Sequence, residues 1–316
     1  MMMQIYCGVD VSKARLDSFV ATSSKAGIFD SFENTAEGIE ELRQFALVHG
    51  AQVVVMESSG VVCDLPYRLL WQSGMPCALV NPAYVRDFAK SMGRLEKTDR
   101  IDAEVITRFA SAKELVANAP PSPEQQRLSA YFARMRQVTS DLVTQKQRLH
   151  GTVEDFALEG IRELIKVLEK QSRKLAAEIA SMIDDDPVWQ ALATAFTSYK
   201  GVASRTVAVI LADLPEIGTY DNRAISKLAG LAPLANDSGQ RHGKRPIRGG
   251  RASVRSILFL VADIVAKYDP HFADFKARLI AKGKAKMQIR IALARKLLVR
   301  LNAKARDIRA ELKNAA

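Results

Sequence analysis

The sequence predicts an α/β domain with a mixed sheet, then a helical coiled-coil arm, then a helical C-terminal domain. Three observations lead there. Three β-like runs open the chain and give way to alternating helix and strand. A proline-rich break, Asn118-Ala-Pro-Pro-Ser-Pro123, ends that pattern. Beyond the break the apolar spacing is helical. The boundaries drawn from this are 1–118, 119–187 and 188–316. With 316 residues, 48% of them hydrophobic and 26% charged, the chain can bury two or three cores and lacks the composition of a disordered one.

The first three runs are Gln4–Val11, Leu16–Thr22 and Gly27–Asn34, rich in β-branched and aromatic residues and separated by short polar breaks, as in an antiparallel meander. Thr35–Val48 has helical spacing through Ile39, Leu42, Phe45 and Ala46. A buried strand is expected at Gln52–Met56, a helix around Cys63–Gln72, a strand at Cys77–Val80, and helices near Ala83–Met92 and Asp99–Ala112. Residues 124–184 read as two long helices. Their apolar positions, Val138, Leu142 and Leu149 and then Ile161, Leu164, Ile165, Leu168, Leu175 and Ile179, suit an antiparallel hairpin or coiled coil. Such an arm commonly meets a partner helix, so a homo-oligomer, dimer or tetramer, is expected. Asp184-Asp-Asp-Pro187 ends it. The rest reads as helical around a glycine-rich basic loop at Ser238–Gly250, with a core stripe of Leu279, Ile280, Ile289, Ile291, Leu297, Leu298 and Leu301 near the C-terminus.

Charge is unevenly distributed. The formal net charge is +11, yet residues 241–316 carry 20 Lys and Arg against 5 Asp and Glu, while the first 240 residues are slightly acidic. A folded segment that basic points to a polyanion, nucleic acid or anionic lipid, and its many arginines favour phosphate. Cys7, Cys63 and Cys77 lie scattered in apolar runs, which suits buried thiols rather than disulfides or zinc. No leader-like start and no run of membrane-spanning length is present, so a cytoplasmic protein is expected.

Asp10 closes the first strand in GVDVSK, and Glu57 closes the buried strand VVVMES. Asp99 and Asp102, in KTDRIDAEVITRF, are spaced i, i+3 at a helix start and share a face. Carboxylates converging from such elements repel unless cations neutralise them. Hard oxygen donors without His or Cys suit Mg²⁺, or Mn²⁺, rather than zinc, and a metal pair is suited to phosphoryl transfer. Each aspartate also has a plain reading as a turn or cap residue. Asp17, Glu96 and Glu104 are read as surface charges.

In the C-terminal half, SYKGVASRTVAVILADL reads as helix, tight turn, helix, similar to a helix-hairpin-helix element in which Ala203 replaces the second glycine. Lys200 and Arg205 are its expected phosphate contacts. In LAGLAPLANDSGQRHGKRPIRGGRASVRSILF, the pair Ser238-Gly239 falls on an exposed turn, ringed by Arg241, Lys244, Arg245, Arg248, Arg251 and Arg255. Gly243, Gly249 and Gly250 are expected to let the backbone approach a ligand. A serine in such a field can attack a phosphodiester, although most Ser-Gly pairs are only turns. His242 beside it does not make a hydrolase, since no G-x-S-x-G elbow is present. The basic C-terminal helices also allow a membrane-surface reading, which the nuclease-like first half disfavours.

GVDVSK, VVMES and KTDRIDA, in that order, resemble the N-terminal RuvC-like (RNase H-like) domain of the DEDD-type insertion-sequence transposases, a group that takes in the Piv invertase and recombinases guided by a bridge RNA. AGLAP, then SG, then a basic stretch and GG resemble the same family's C-terminal domain. The resemblance implies that Asp10, Glu57, Asp99 and Asp102 form a metal-binding tetrad and that Ser238 is the nucleophile. It implies DNA as substrate, a phosphoserine intermediate and a structured guide RNA as partner. Two alternatives stay open: a metal-dependent RuvC-like nuclease or junction resolvase with water as nucleophile, and a non-enzymatic nucleic-acid-binding protein.

Overall fold

The computed structural model describes residues 4–21, 27–58, 60–94, 96, 98–239, 241–243 and 245–315. The chain divides into two compact units, one reaching to Pro121 and one starting at Ser122.

The first unit holds five strands: β1 (Tyr6–Val11), β2 (Arg15–Ala21), β3 (Gly27–Glu33), β4 (Val53–Glu57) and β5 (Cys77–Val80). Thr22, the expected end of the second strand, lies outside the described residues. The helices are α1 (Ala36–Val48), α2 (Asp64–Gln72), α3 (Pro82–Ser91) and α4 (Asp99–Lys113), with a 3-10 turn at Gly60–Cys63. The sheet order is β3-β2-β1-β4-β5; β1, β2 and β3 pair antiparallel, while β1, β4 and β5 pair parallel. This is the mixed sheet of an RNase H-like α/β domain.

Period-two alternation divides the core between the sheet's faces. Cys7, Val9, Val11, Val54, Met56 and Cys77 pack with Ile39 and Leu42 of α1 and Tyr67 and Leu70 of α2. Tyr6, Val53, Val55, Ala78 and Val80 pack with Val85 of α3 and Val105, Ile106 and Phe109 of α4. All three cysteines are buried and unbridged. Thr35, expected inside the first helix, is instead its N-cap, accepting from the Gly38 amide at 3.2 Å.

The proline-rich break is tied to the structure at both ends. The Asn118 amide donates to the Cys77 carbonyl (3.0 Å), and the Tyr67 hydroxyl donates to the Asn118 carbonyl (2.5 Å). At its other end Ser122 caps the next helix and Pro123 takes that helix's first position.

The second unit is helical: α5 (Pro123–Gly151), α6 (Asp155–Asp185), α7 (Pro187–Thr197), α8 (Ser204–Asp213), α9 (Asn222–Leu228), α10 (Ala252–Tyr268), α11 (Pro270–Ala281) and α12 (Lys286–Ala315). A two-residue hairpin, β6 (Asp237–Ser238) and β7 (Arg241–His242), interrupts the basic loop. The helices α5 and α6 form the expected antiparallel arm. Its base is fixed to α8, where Gln125 donates to the Leu211 carbonyl (3.0 Å) and Ser129 to that of Ala212 (2.9 Å). Leu128, Phe132, Ile179 and Ile183 join the core built on Phe196, Ile210, Leu258, Leu297 and Leu301. Two expected core positions face outward: Leu164 is 43% exposed and Ile280 57%. Leu164 lies off the narrow buried seam of α6, and Ile280 stands at the last turn of α11. No helix among the described residues is long and apolar enough to cross a membrane.

Candidate functional site

In the first unit the sheet and α4 meet over a glycine. Tyr6, Gly8 and Asp10 alternate onto the face of β1 that α4 covers. Ala103 and Thr107 of α4 lie directly over Gly8, where a Cβ would overlap Thr107 and come 2.6 Å from the Ala103 carbonyl oxygen. The Gly8 amide donates to Thr107 Oγ1 (2.9 Å), and that hydroxyl donates to the Phe19 carbonyl (2.8 Å). The missing side chain therefore lets the first turns of α4 press onto β1. Val9 pairs with Met56 across the parallel strands, so Asp10 and Glu57 are the next residues along each. Glu57 continues the Val53–Val55 alternation toward the same face.

The outcome is a cleft of about 280 Å³ lined by Asp10, Glu57 and Asp102. All three are half-buried. Two strand ends and a helix start thus contribute one carboxylate each. Asp99 is not part of the lining: it is exposed in the first turn of α4, where Thr98 is the N-cap, accepting from the Ile101 amide at 3.3 Å. Acidic residues at this helix start also meet the positive end of its dipole.

Sequence reasoning missed three of the cleft's other charged residues, Arg86, Lys90 and Arg94, and read the fourth, Glu96, as a surface charge. The i, i+4 spacing of Arg86 and Lys90 beside the apolar Val85 and Ala89 was the available signal. Two of the supposed surface charges are not at the surface. Asp17 is 6% exposed and accepts from the Ser31 hydroxyl at 2.6 Å. Glu104 keeps a side chain only 14% exposed because Arg94 (3.2 Å) and Arg108 (2.7 Å) both bind it. Glu96, by contrast, is exposed and lines the cleft.

The donor set of Asp10, Glu57, Asp102 and Glu96 is all hard oxygen, which fits Mg²⁺ or Mn²⁺. Among the described residues no three such side chains are gathered at metal-ligand spacing. The three carboxylates share a cleft without being closed around a point.

In the second unit Ser238 is exposed on the hairpin, with Gly239 (φ 54°) turning the chain. Asp237 organises the loop: one oxygen accepts from Arg245 (2.6 Å), the other from the Gly243 amide (3.2 Å). Below the hairpin Pro233 bridges to Ile247, and the Leu234 amide donates to the Pro246 carbonyl (2.9 Å).

Gly230 of AGLAP and Gly250 of RGGR bring the two backbones of this stem together. At Gly250 (φ 67°) a Cβ would overlap the Gly230 backbone and approach the Leu228 carbonyl oxygen to 2.7 Å. The Arg251 amide donates to that same carbonyl at 2.9 Å. Gly243 likewise approaches the backbone of Asn236, and Gly249 has no atom within 4 Å of the Cβ it lacks.

The arginines divide accordingly. Arg251 makes a two-pronged ion pair with Glu216, and Arg255 donates to the Gly249 carbonyl (2.6 Å), so both hold the stem. Arg245 and Arg248 are exposed. Lys244 lies outside the described residues, and Arg241 is placed by its backbone alone. Lys200 and Arg205 are exposed at the turn between α7 and α8. Ala203 there is extended (φ −98°, ψ 172°), a conformation that needs no glycine, which accounts for the departure from the Gly-x-Gly turn.

Residues 7–157 match a family model described as a transposase of the DEDD, IS110 type. Residues 193–277 match the transposase family IS116/IS110/IS902. The chain is similar to the pilin gene-inverting proteins of Moraxella bovis and Moraxella lacunata, each 26% identical over 94% of this chain and 94% of its own length. It is 31% identical to an uncharacterized 43.6 kDa protein of the insertion element IS110 from Streptomyces coelicolor, over 50% of this chain and 38% of that protein. A Thermus thermophilus RuvC structure aligns with a TM-score of 0.26 and 12% identity, over 36% of this chain and 99% of that one.

Proposed function

Since this chain belongs to the IS110 family of transposases and is a DNA transposase/recombinase, we propose that it cuts and rejoins DNA through a covalent bond to Ser238, assisted by divalent metal held at Asp10, Glu57 and Asp102. The observation that carries the reading is the cleft on which those three carboxylates open, each supplied by a different element. Asp99, one turn before the cleft, joins the set as a fourth candidate ligand. Metal held there would supply positive charge against that developing on phosphate oxygens.

Ser238 Oγ attacks the phosphorus of a phosphodiester. A serine–phosphate bond forms, one sugar–oxygen bond to phosphorus breaks, and the serine proton leaves to solvent while the released sugar oxygen takes one up. In the second step a sugar hydroxyl from the strand to be joined attacks the phosphoserine, restoring a phosphodiester and the serine. Each step exchanges one phosphate ester for another, so rejoining needs no nucleotide cofactor. Arg245 and Arg248, with Arg241 and Lys244, would counter the extra charge of the pentacoordinate phosphate. Lys200 and Arg205 would bind backbone phosphate beside it.

Recombination is the work of a homo-oligomer. The arm offers the contact: Val153 (94% exposed) and Phe156 (84%) are bare apolar residues at its tip. A structured RNA read by base pairing would choose the sites. The test is recombination between two marked plasmids in cells carrying the chain and its flanking non-coding DNA. Product should be lost in Asp10→Ala, Glu57→Ala and Asp102→Ala, and site choice should follow changes in the flanking transcript. Full activity of all three variants would refute the metal assignment, and unchanged site choice without the transcript would refute RNA guidance.

A further inference from the structure

A surface cleft of about 500 Å³ on the helical unit runs between the stem below Ser238 and the helices α11 and α12. It is within the size range of sites that enclose small organic groups. Pro233 and Ile247 from the stem, and Leu279, Ile291 and Ala292 from the helices, give it apolar walls. Arg245, Lys284, Arg295 and Lys296 also line it, and no carboxylate does among the described residues. Arg245 is paired with Asp237 and Lys296 is held by the His271 carbonyl, which leaves Lys284 and Arg295 foremost beside an apolar slot that suits a ligand with a flat apolar face and negative charge along its edge. A nucleotide has that chemistry: the base enters the slot and its flanking phosphates meet the ammonium and guanidinium groups. A partner peptide would need several acidic side chains around one apolar anchor to satisfy the same rim.

Arg245 fixes which strand is involved. Its guanidinium lines the cleft and also binds Asp237, the residue before Ser238, at 2.6 Å. The cleft wall and Ser238 are thus neighbours, joined through the Arg245–Asp237 pair. We propose that the cleft accepts one unstacked base of the DNA strand attacked by Ser238, which would hold the neighbouring phosphate in register with the serine. The proposal rests on the reading of this unit as the DNA-cleaving one.

The test uses the full chain and a short single-stranded DNA at low salt. Abasic sites are introduced one position at a time, and, in parallel, a photoreactive thymine analogue is scanned along the strand. In the wild type one abasic position should weaken binding about tenfold, the size of one lost base-stacking contact. That position should crosslink to a cleft residue. Ala292→Trp, which fills the slot, should bind the intact strand about tenfold more weakly and no longer distinguish the abasic one. Should the variant misfold, the wild-type scan and crosslink map still decide the matter. Intact binding with equal tolerance of abasic sites everywhere, or crosslinks only outside the cleft, would overturn the base pocket and leave the DNA reading standing. No binding of the single strand would overturn the base pocket, and no binding of duplex DNA either would sink the DNA reading itself. Tighter binding of the ribose form, with crosslinks in the cleft, would assign it to RNA and contradict the proposal.

Discussion

Gly8→Ala tests how the first unit brings its carboxylates to one cleft. The added methyl would overlap Thr107 and come 2.6 Å from the Ala103 carbonyl oxygen, well inside contact distance. Both neighbours belong to the backbone or the buried face of α4, so relief requires the helix to move. Overpacking of this kind costs about 1–3 kcal/mol. Displacing α4 also strains the 2.9 Å hydrogen bond from the Gly8 amide to Thr107, worth about 1 kcal/mol net. Together these destabilise the unit by about 2–4 kcal/mol, a fall of roughly 8–16 °C in melting temperature for a domain this size. The same shift carries Asp102 away from Asp10 and Glu57, so recombination should fall further than stability explains, even well below the melting point. Gly151→Ala is the control, because nothing lies within 4 Å of its missing Cβ. Thermal unfolding followed by circular dichroism, with plasmid recombination in parallel, gives both readouts. A Gly8→Ala protein that melts and recombines like the wild type would refute the packing argument.

Asp102→Asn should abolish recombination and leave the melting temperature little changed, since the amide keeps the size and shape of the half-buried carboxyl; thermal shift with and without Mg²⁺ checks this. Glu216→Gln should destabilise the second unit by about 1–2 kcal/mol, because Arg251, only 32% exposed, loses its charged partner; urea unfolding measures it. Burial pushes the Cys7 and Cys77 thiols up to about 12. The unfolded chain therefore releases these protons before the native one does, and stability should fall as pH rises from about 9 toward 12. Cys7→Ala should flatten that loss in pH-dependent melts, and both thiols should resist a thiol reagent until the protein unfolds.

What the sequence disclosed followed the strength of its local signals. Strand ends at Asp10 and Glu57 and the helix start at Asp102 were legible because alternation, β-branching and capping set them within the segment itself. Asp99 read as equivalent to Asp102 because i, i+3 spacing gives a shared helix side, but it does not say how far along the helix a cleft extends. Arg86, Lys90 and Arg94 were missed because their meeting with β1 and β4 depends on the packing of α3 and α4, a tertiary fact. The partners of Arg251 and Arg255 were illegible for the same reason: Glu216 and the Gly249 carbonyl reach them through the folding of the loop onto α9. Asp17 and Glu104 show the reverse case, charges drawn into partial or full burial by partners on neighbouring elements.

The central claim is a covalent bond between Ser238 and DNA, and peptide mapping of a trapped intermediate tests it most directly. The protein is incubated with Mg²⁺, the flanking transcript and a DNA substrate nicked beside the cleavage site, so that the released strand diffuses away before rejoining. After denaturation and digestion, mass spectrometry should find a nucleotide on the peptide containing Ser238 in the wild type and none in Ser238→Ala. Cut DNA with no adduct, or an adduct unchanged in Ser238→Ala, would contradict the account.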